Sequence, residues 1–598
     1  MRKRLLSLSL AAIMAASLAG CGGGSAKAPE SAAGTEAGAA ETSAAGSEAA
    51  GTTAGTENPN VGKGMYPGTS EAGSINVQIK TMSVLNPIKM TYSDENSIGR
   101  HVWDALVKFN ENNEVIPGAA ESWESSDDGM KWTFHLRKDA KWVDSTGKEV
   151  GDVTANDFVF AWSELLNPDN ACEYYAFATI FKNADAYYQY KSGTSTTEVT
   201  LDQVGFKAVD DYTLEIELET YLPYLLQYLK YEVMSPIYEP FYTEVGADKY
   251  GTTPETLVFN GPFCMTNWVT ENTVTVAKNP TWHDAANVEL EKINFMKFTD
   301  SNTMYNAFLG GELDITDITG EQRTAFDAEG FDVSSYEGGY SFYSWVNTTD
   351  TSDMRSANLR HAVSEALDRQ QLINTVFKNN NLPSPSYAYG ISGVNTPKFS
   401  DAVMAANGGQ PLYSPAANAD KAKEYLAAAL TDLGYTDASQ IKLSLMTSEG
   451  TQNELLSQVI QEQLRQNLGI DLKIEVLTIT EWRARRNAID FDFCMGGWGP
   501  DYNDPMTDLD LFTSGNGNNH TGYANADYDA MIESTKSETD AAAREKIFVD
   551  CEMKLAEDLP IIPVYWRCED FVASEKLAGG YVRKVFQGYN LIYTKFAK

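Results

Sequence analysis

The residue types that most often carry chemistry in proteins are sparse and show no catalytic spacing in this 598-residue chain. Its five histidines lie far apart and form no His-Glu-x-x-His motif, so the sequence does not indicate a hydrolytic metal site. It also contains no Gly-x-Ser-x-Gly nucleophile motif and no P-loop. We therefore predict no enzymatic activity, no bound metal and no cofactor.

Five of the six cysteines are scattered through the chain, and no two of them form a Cys-x-x-Cys pair. Their odd number and wide spacing indicate neither a disulfide framework nor a zinc site. We expect these five to be small buried side chains. They are Cys172, Cys264, Cys494, Cys551 and Cys568.

The sixth cysteine, Cys21, ends a segment typical of export signals. A basic start at 1–4 precedes an apolar run at 5–18, which is shorter than the roughly 20 residues of a membrane-spanning helix. The run closes with Leu-Ala-Gly-Cys, which resembles the bacterial lipoprotein signal, where the cysteine is lipidated and becomes the mature N-terminus. We predict a signal peptide over 1–21 and a lipid anchor at Cys21. An ordinary secretory signal with a chance cysteine is the alternative.

The anchor would place the protein on the outer side of the cytoplasmic membrane, at the cell surface or in the periplasm. From 22 to 73 the chain is nearly all Gly, Ala, Ser, Thr, Glu and Pro. Such a segment cannot bury enough apolar surface to offset its ordering entropy. We predict a disordered tether over 22–73, with a reach on the order of 40 Å.

The remaining body of about 525 residues is too long for one compact core, so two or three domains are expected. The formal net charge of −37 argues against nucleic acid and against adhesion to an anionic membrane, because both need positive patches. We expect a monomer that binds no nucleic acid.

Strand and helix patterns alternate along the body, which predicts a mixed α/β class. Alternation of apolar and polar residues predicts strands at 131–137, 213–218 and 273–276. A strand at 441–445, a helical face at 455–468 and a strand at 470–476 predict one βαβ unit with parallel strands. Further helices are predicted at 356–377, 420–430 and 541–556.

Several motifs run in one order from about residue 75 to the C-terminus. They include Leu85-Asn-Pro87, Pro117-Gly-Ala-Ala-Glu-Ser-Trp123, Asn260-Gly-Pro-Phe263, Leu359-Arg-His-Ala-Val-Ser-Glu-Ala-Leu-Asp-Arg369, Trp498-Gly-Pro-Asp-Tyr-Asn-Asp-Pro505 and Leu559-Pro-Ile-Ile-Pro-Val-Tyr565. As an ordered set they resemble the oligopeptide/dipeptide-binding family of bacterial ABC-importer solute-binding lipoproteins, the family 5 extracellular solute-binding proteins.

The resemblance implies a two-lobed, periplasmic-binding-protein-like (Venus-flytrap) fold with an extra domain inserted on the first lobe. Two chain crossings, near 339 and 569, would make a hinge that lets the lobes close on a ligand. Mapped by the motifs, lobe I comprises 74–103, 233–338 and 569–598, the inserted domain comprises 104–232, and lobe II comprises 339–568.

The resemblance also implies a function. A peptide would lie extended in the cleft between the lobes, bound through its backbone, and would be delivered to the permease and ATPase complex of an ABC transporter. Its terminal ammonium is costly to bury without an opposite charge, and Asp501 matches the family's ammonium-binding residue. Read by itself, the segment 501–505 predicts only a surface turn.

Other positions also match ligand-binding residues of the family, and some of them have a plausible structural interpretation as well. Trp498 matches a cleft tryptophan, although alone it fits a core residue equally well. Tyr343 matches an aromatic residue that lines the cleft, with one face of a hinge strand as its alternative. The remaining predicted ligand-binding positions are Tyr502, next to Asp501; Tyr175, from the inserted domain; and Thr91 and Ser93, where lobe I backbone would pair with the peptide.

Three positions depart from some oligopeptide binders, where groups at these places help to hold the peptide C-terminus. Thr91 replaces an acidic residue, Met495 replaces a basic residue, and Asn453 replaces a histidine. Arg486 could still serve as the partner of a carboxylate. Roomy pockets leave no simple residue code, so the sequence predicts neither peptide length nor side-chain preference.

Three alternatives stay open. Relatives of the same fold bind other solutes, such as opines, sugars, haem or metal chelates, and the shortage of histidines disfavours metal. A sensor of peptide signals would carry the same binding residues. A surface hydrolase would need a nucleophile and base in the cleft, which the sequence does not reveal.

Overall fold

The computed structural model describes residues 57–586 and 588–598. The predicted signal peptide, Cys21 and residues 22–56 of the predicted tether lie outside the described residues. Within the described part, no helix combines the length and apolar character needed to cross a bilayer.

Lobe I and the inserted domain begin the described body. Lobe I opens with β1 (Ser74–Ile79) and α1 (Ser93–Val102). The inserted domain then contributes β2 (Val107–Phe109), β3 (Val115–Pro117), β4 (Ala120–Ser125), β5 (Lys131–Leu136), β6 (Lys141–Asp144), β7 (Glu149–Asp152), α2 (Ala155–Leu165), α3 (Ala184–Lys191), β8 (Phe206–Asp210), β9 (Thr213–Glu217) and α4 (Leu225–Tyr228). Strands β4, β5, β9 and β8 form a four-stranded antiparallel sheet, which confirms the strands predicted at 131–137 and 213–218.

The chain then enters the second range predicted for lobe I, whose first strand pairs with β6 of the predicted inserted domain. Its elements there are α5 (Glu239–Val245), β10 (Val258–Phe259), β11 (Phe263–Val269), β12 (Thr273–Lys278), β13 (Lys292–Lys297), α6 (Ser301–Leu309), β14 (Ile315–Ile318) and α7 (Gly320–Glu329). Strand β1 is almost wholly buried and pairs in parallel with both β13 and β14. Its Ile75, Val77 and Ile79 alternate with polar residues and give the strand one apolar face, while the buried Gln78 on the other face accepts the N–H of Asp317 at 3.2 Å.

Lobe II begins within a long strand. Its elements are β15 (Ser334–Val346), α8 (Ala357–Ala366), α9 (Arg369–Val376), β16 (Leu382–Pro383), α10 (Phe399–Ala406), α11 (Ala419–Leu433), β17 (Leu443–Ser448), α12 (Thr451–Leu468), β18 (Leu472–Leu477), α13 (Ile479–Asn487), β19 (Phe493–Trp498), α14 (Met506–Leu509), α15 (Ala526–Thr535), α16 (Ala541–Asp558) and β20 (Ile561–Ala573). Strands β17 and β18 pair in parallel around α12, which confirms the predicted βαβ unit.

One continuous sheet joins the two lobes. Its strand order is β11-β12-β13-β1-β14-β20-β15-β19-β17-β18, and β16 pairs with β20 off this path. Strands β15 and β20 are 13 residues each and lie in the middle, so they carry the chain from one lobe to the other. Their register breaks between Glu337 and Ser341, close to the predicted crossing at 339.

Four short strands complete the chain. They are β21 (Leu577–Gly579), β22 (Val582–Lys584), β23 (Gly588–Asn590) and β24 (Lys595–Phe596). The pairing of β22 with β23 forms a hairpin that lies against lobe I, where the N–H of Leu591 donates to His101 Nε2 at 3.0 Å. The five cysteines after Cys21 are all buried and unpaired, as predicted.

The helix predicted over 356–377 is wrong in one respect, because the structure divides it into α8 and α9. The break falls at Leu367, which has extended backbone angles. Asp368 follows, and its carboxylate accepts the N–H of Gln371 at 2.7 Å as an N-cap. An aspartate side chain that caps a new helix stabilises a non-helical backbone at its own position, and this competes with continuing the preceding helix through it.

The predicted tether is also wrong over its last part, residues 57–73, which pack onto lobe I. The Asn58 amide donates to two backbone carbonyls that follow β20, each at 2.8 Å. The Glu575 carboxylate accepts the backbone N–H groups of 64–66. These contacts satisfy the backbone of a segment whose composition by itself predicts disorder.

Tyr66 anchors this N-terminal segment by its ring. The ring lies edge-on to Phe331 at 4.8 Å and to Phe326 at 5.7 Å between ring centroids, and it is 5.5 Å from Phe308. Small residues dominate the composition of 22–73, so a prediction from composition misses its single aromatic residue. That residue, Tyr66, binds the segment to a phenylalanine cluster far away in sequence.

We expect Tyr66→Ala to lower the free energy of unfolding by about 1–2 kcal/mol, because it removes a half-buried aromatic ring. Urea unfolding measures the change, and limited proteolysis should show new cleavage between 57 and 73. Val61→Ala is the control within the same segment, because Val61 is 46% exposed. Equal stability and equal protease resistance of the two variants would contradict the docking of this segment.

Candidate functional site

The acidic turn 501–505 follows β19 at the edge where the two lobes meet. Strand β19 is held by β15, with Ser341 opposite Trp498. The Asp501 N–H donates to Thr507 Oγ1 at 2.9 Å. Asp504 is buried in a bidentate pair with Arg544 of α16, whose Nη2 donates to Oδ1 at 2.9 Å. The second acid of the turn is therefore structural, and it fixes the position of the first.

The Asp501 carboxylate is largely withdrawn from water and lacks a counterion. Within residues 57–586 and 588–598, no lysine, arginine or histidine nitrogen lies within 4 Å of its oxygens. Burial, and then the nearby Asp510, raise the pKa of Asp501 to about 7. Desolvation disfavours the ionised form, so the site is poised to accept either a proton or an ammonium group.

Further carboxyl groups lie behind the turn, and no pattern in the sequence indicates them. Asp508 is 1% exposed, and neither of its oxygens has a hydrogen-bond partner among the described residues. Burial raises its pKa well above the usual value, with Glu552 and Asp501 adding to the effect. Burial likewise raises the pKa of Glu552 to about 7 and that of Asp510 to about 6. These raised pKa values keep the group of carboxyls partly protonated near neutral pH, and a cation that reaches Asp501 would favour their ionised forms.

The inserted domain meets this turn from across the cleft. The ring of Tyr224 stacks on that of Tyr502, with centroids 4.0 Å apart and planes 10° from parallel. The Asn503 N–H donates to Gln227 Oε1 at 3.1 Å. Both partners come from the region of α4, so this short helix closes one side of the site beside Asp501.

A cavity of about 290 Å³ opens next to Asp501, at the end of the cleft where β15 and β20 cross. Its walls come from both lobes. They are formed by Tyr336, Gly338, Tyr340, Gly499, Pro500, Asp501, Arg567, Glu569, Lys584, Val585, Phe586 and Gly588. Of the predicted ligand-binding residues, only Asp501 lines this cavity.

The aromatic residues predicted from the sequence have different positions. Trp498 is half-buried, and its indole Nε1 is a buried donor without an acceptor among the described residues. Tyr343 is 1% exposed and packs edge-on against Trp345 and Tyr387, so it belongs to the core of lobe II. This position agrees with the alternative interpretation of Tyr343, in which it lies on one face of a hinge strand.

Tyr175 lies within the inserted domain, where its ring stacks on Tyr188 at 4.0 Å. The tyrosine of the inserted domain that reaches the Asp501 turn is Tyr224. The sequence offered no means to choose between them, because the two lie in different loops and only the fold brings one to lobe II.

The lobe I backbone at Thr91 is less available than we expected. Glu95, in the first turn of α1, accepts the N–H groups of Thr91 at 3.2 Å and of Tyr92 at 3.3 Å. Its other oxygen accepts the N–H and hydroxyl of Ser83. These two N–H groups are therefore already used in this structure, and the predicted roles of Thr91 and Ser93 in ligand binding stay predictions.

The two positions proposed for the far end of a ligand also differ. The Arg486 guanidinium lies over the rings of Trp482 and Trp345, at 4.9 and 5.3 Å, and pairs with no carboxylate among the described residues. Burial lowers its pKa. Asn453 is exposed and donates to the hydroxyl of Ser448 at 3.1 Å. A role of either residue in ligand binding stays a prediction.

The fold has two α/β lobes joined by strands that run through both. The cleft between them contains an unpaired carboxylate, and the residues named above include no catalytic constellation. Together these features are typical of solute-binding proteins. Residues 114–520 match the family described as bacterial extracellular solute-binding proteins, family 5 middle. The chain belongs to this family, as the ordered motifs predicted.

Individual relatives agree with this assignment. The chain is 30% identical over 483 residues to the dipeptide-binding protein DppE of Bacillus subtilis, covering 80% of this chain and 84% of that protein. It superposes with a TM-score of 0.74 on the periplasmic murein tripeptide binding protein MppA in its unliganded open form, at 25% identity over 89% of this chain and 99% of that one. For Listeria monocytogenes OppA bound to peptide the TM-score is 0.63, at 26% identity over 88% and 99%.

We expect ligand affinity to weaken in acid, because a ligand ammonium needs the ionised form of Asp501, whose pKa is about 7. Below that pKa the proton must leave before the ammonium binds, so the dissociation constant should be on the order of tenfold larger at pH 5.5 than at pH 7.5. Calorimetric titration in buffers of different ionisation heat should show proton release on binding at pH 6. Asp350→Asn, at an exposed carboxylate, is the control and should keep the wild-type profile. A flat profile would contradict the role of Asp501.

Proposed function

We propose that this protein is a lipid-anchored receptor that captures peptides in the cleft between its lobes and delivers them to an ABC-transporter permease and ATPase complex. The ligand leaves chemically unchanged, because the cleft residues described above include no nucleophile beside a base. Family membership supports solute binding, and the named relatives are a dipeptide-binding protein, a murein tripeptide binding protein and a protein bound to peptide.

The observation that carries the proposal is the unpaired Asp501 carboxylate. A buried carboxylate without a counterion is unfavourable in the free protein, and it becomes favourable when a cation enters. The α-ammonium group of a peptide is a cation that every unblocked peptide possesses, whatever its side chains. Recognition at this point therefore supports broad capture of peptides rather than selection of one sequence.

The rest of the cleft supplies groups for an extended ligand. The buried Nε1 of Trp498 is a donor that a peptide carbonyl would satisfy. Arg486, stacked on two tryptophan rings and unpaired, is suited to a carboxylate further along the ligand. Main-chain hydrogen bonds of this kind give affinity that is indifferent to side chains.

The cleft alone does not distinguish transport from sensing, so delivery rests on the predicted anchor. A single lipid on Cys21 would hold the protein on the outer face of the cytoplasmic membrane, where a permease takes up its ligand. The segment 57–73 docks on lobe I, so the predicted tether begins before the described residues. A body held at the membrane in this way would be close to a permease in the same membrane.

The direct test follows the thermal midpoint of the purified protein, refolded to remove carried-over ligand, against peptides of two to eight residues. Each peptide is used with a free and with an acetylated N-terminus. A ligand at 100 times its dissociation constant adds about 2.7 kcal/mol and shifts the midpoint by a few degrees. We expect shifts with free peptides and none with acetylated ones, and we expect Asp501→Asn to abolish them.

Asp501→Asn also has a stability readout that separates loss of function from loss of fold. The amide removes a buried ionised carboxyl, so the ligand-free variant should melt at or above the wild-type temperature at pH 8. A midpoint that shifts with opines, sugars or metal chelates and with no peptide would overturn the proposal. Equal shifts with free and acetylated peptides would overturn the role of Asp501.

The anchor is tested separately, with Cys21→Ser in a bacterial host that processes lipoproteins. We expect the wild type to label with a radioactive fatty acid and to fractionate with membranes, and the variant to do neither. Peptide uptake into cells should fall in the variant, while affinity measured on the purified protein stays unchanged. Membrane fractionation of both forms would contradict a lipid on Cys21.

A further inference from the structure

The cavity beside Asp501 contains a second charged group that the proposed function leaves unused. Strand β20 presents Arg567 at the register break, where the three residues 338–340 of β15 oppose this single residue. A break of this kind re-aims a side chain, because the ladder no longer fixes the spacing of the two strands. Gly339 has a φ of +76°, and a Cβ there would meet the side chain of Val585 at 2.4 Å, so the break requires glycine.

The Arg567 guanidinium is held in place and still has free donors. Its Nε and Nη2 both donate to one oxygen of Glu569, and it lies 5.2 Å from the centroid of the Tyr340 ring. Its Nη1 has no acceptor within hydrogen-bond distance in the described parts of the chain. The side chain lines the cavity and is 43% exposed, so a ligand can reach it. A pre-oriented guanidinium with an unused edge is the geometry that binds carboxylates.

The charges around the cavity decide which ligand group this edge suits. The lining residues carry two carboxylates, Asp501 and Glu569, and two cations, Arg567 and Lys584. The Lys584 ammonium donates to the backbone carbonyl of Glu111. When a ligand ammonium neutralises Asp501, the remaining groups sum to one positive charge, so the cavity then favours an anion.

Resting on the proposed function, we propose that Arg567 forms a carboxylate subsite that selects peptides carrying a carboxylate close to their terminal ammonium. A sphere of 290 Å³ is about 8 Å across, which matches two extended residues at roughly 3.5 Å each. Two sources fit that span: the side chain of an acidic first residue, and the C-terminal carboxylate of a dipeptide. Both place an anion at Arg567 while the ammonium lies at Asp501.

The subsite is separate from Arg486, which lies on α13 and stacks on the rings of Trp345 and Trp482. Neither tryptophan lines the 290 Å³ cavity. A long peptide could therefore bind its own C-terminus elsewhere and still use Arg567 for its first side chain.

The test measures dissociation constants of the full-length purified protein for amidated peptides that differ in one charge. Glu-Ala-Ala-amide is compared with Gln-Ala-Ala-amide, and both keep the free ammonium. We expect the wild type to bind the glutamate peptide about tenfold more tightly, a typical effect of one partly exposed charge-assisted pair. Arg567→Gln should bring the two affinities within twofold, and Arg567→Lys should leave an intermediate ratio.

The second arm identifies the source of the carboxylate. Ala-Ala is compared with Ala-Ala-amide on the same variants, and a preference for the free acid that Arg567→Gln removes assigns the subsite to the dipeptide C-terminus. Preferences in both arms mean that either source is accepted. Arg465→Gln, at an exposed arginine of α12, removes the same charge and should leave every ratio unchanged.

The outcomes separate this inference from the proposed function. Wild-type protein that binds peptides but shows no preference in either arm overturns the carboxylate subsite alone. Preferences that survive Arg567→Gln also overturn it, because another group must then hold the anion. Protein that binds no peptide in either arm overturns the proposed function and the subsite with it. Arg567→Lys keeps the test valid if Arg567→Gln does not fold.

Discussion

The antiparallel pairing of β15 with β20 is the constraint on which the rest of the cleft depends. These two 13-residue strands are the middle of the joint sheet and carry the chain between the lobes. Because Ser341 of β15 also pairs with Trp498, the same strand positions β19 and the turn that follows it. The break at 338–340 interrupts the ladder between the lobes and opens the cavity beside Asp501. Hinge, ammonium site and subsite thus share one structural origin.

The site is electrostatically unfavourable in the free protein. Asp501, Asp508, Asp510 and Glu552 all have raised pKa values, and burial is the largest cause for each. A buried carboxyl without a counterion remains only if the surrounding structure is stable enough to hold it. The bidentate pair of Asp504 with Arg544 provides such an anchor within the same turn. A ligand ammonium would supply the missing counterion. Part of the binding free energy would therefore come from removing the electrostatic cost that these carboxyl groups carry in the free protein.

Fold and specificity have separate determinants here. The family fold supplies two lobes, a hinge and an acidic turn, and it serves many solutes. The groups placed to discriminate between ligands are the stack of Tyr224 on Tyr502, the unused edge of Arg567, and Arg486, which lies over two indole rings. Each is a side chain, so replacing it would change the ligand contacts without changing the topology of the sheet.

The sequence by itself determined the class, the family, the βαβ unit at 443–477 and the burial of the five cysteines, because local periodicity and ordered motifs encode them. The family resemblance, rather than the segment read by itself, pointed to Asp501. The tertiary structure alone decided that Asp501 has no counterion among the described residues, that Tyr224 rather than Tyr175 stacks on the neighbouring Tyr502, and that Arg567 shares the cavity of Asp501. It likewise docked residues 57–73 through Tyr66. These facts depend on contacts between segments up to several hundred residues apart, and no local pattern records which distant groups the fold brings together.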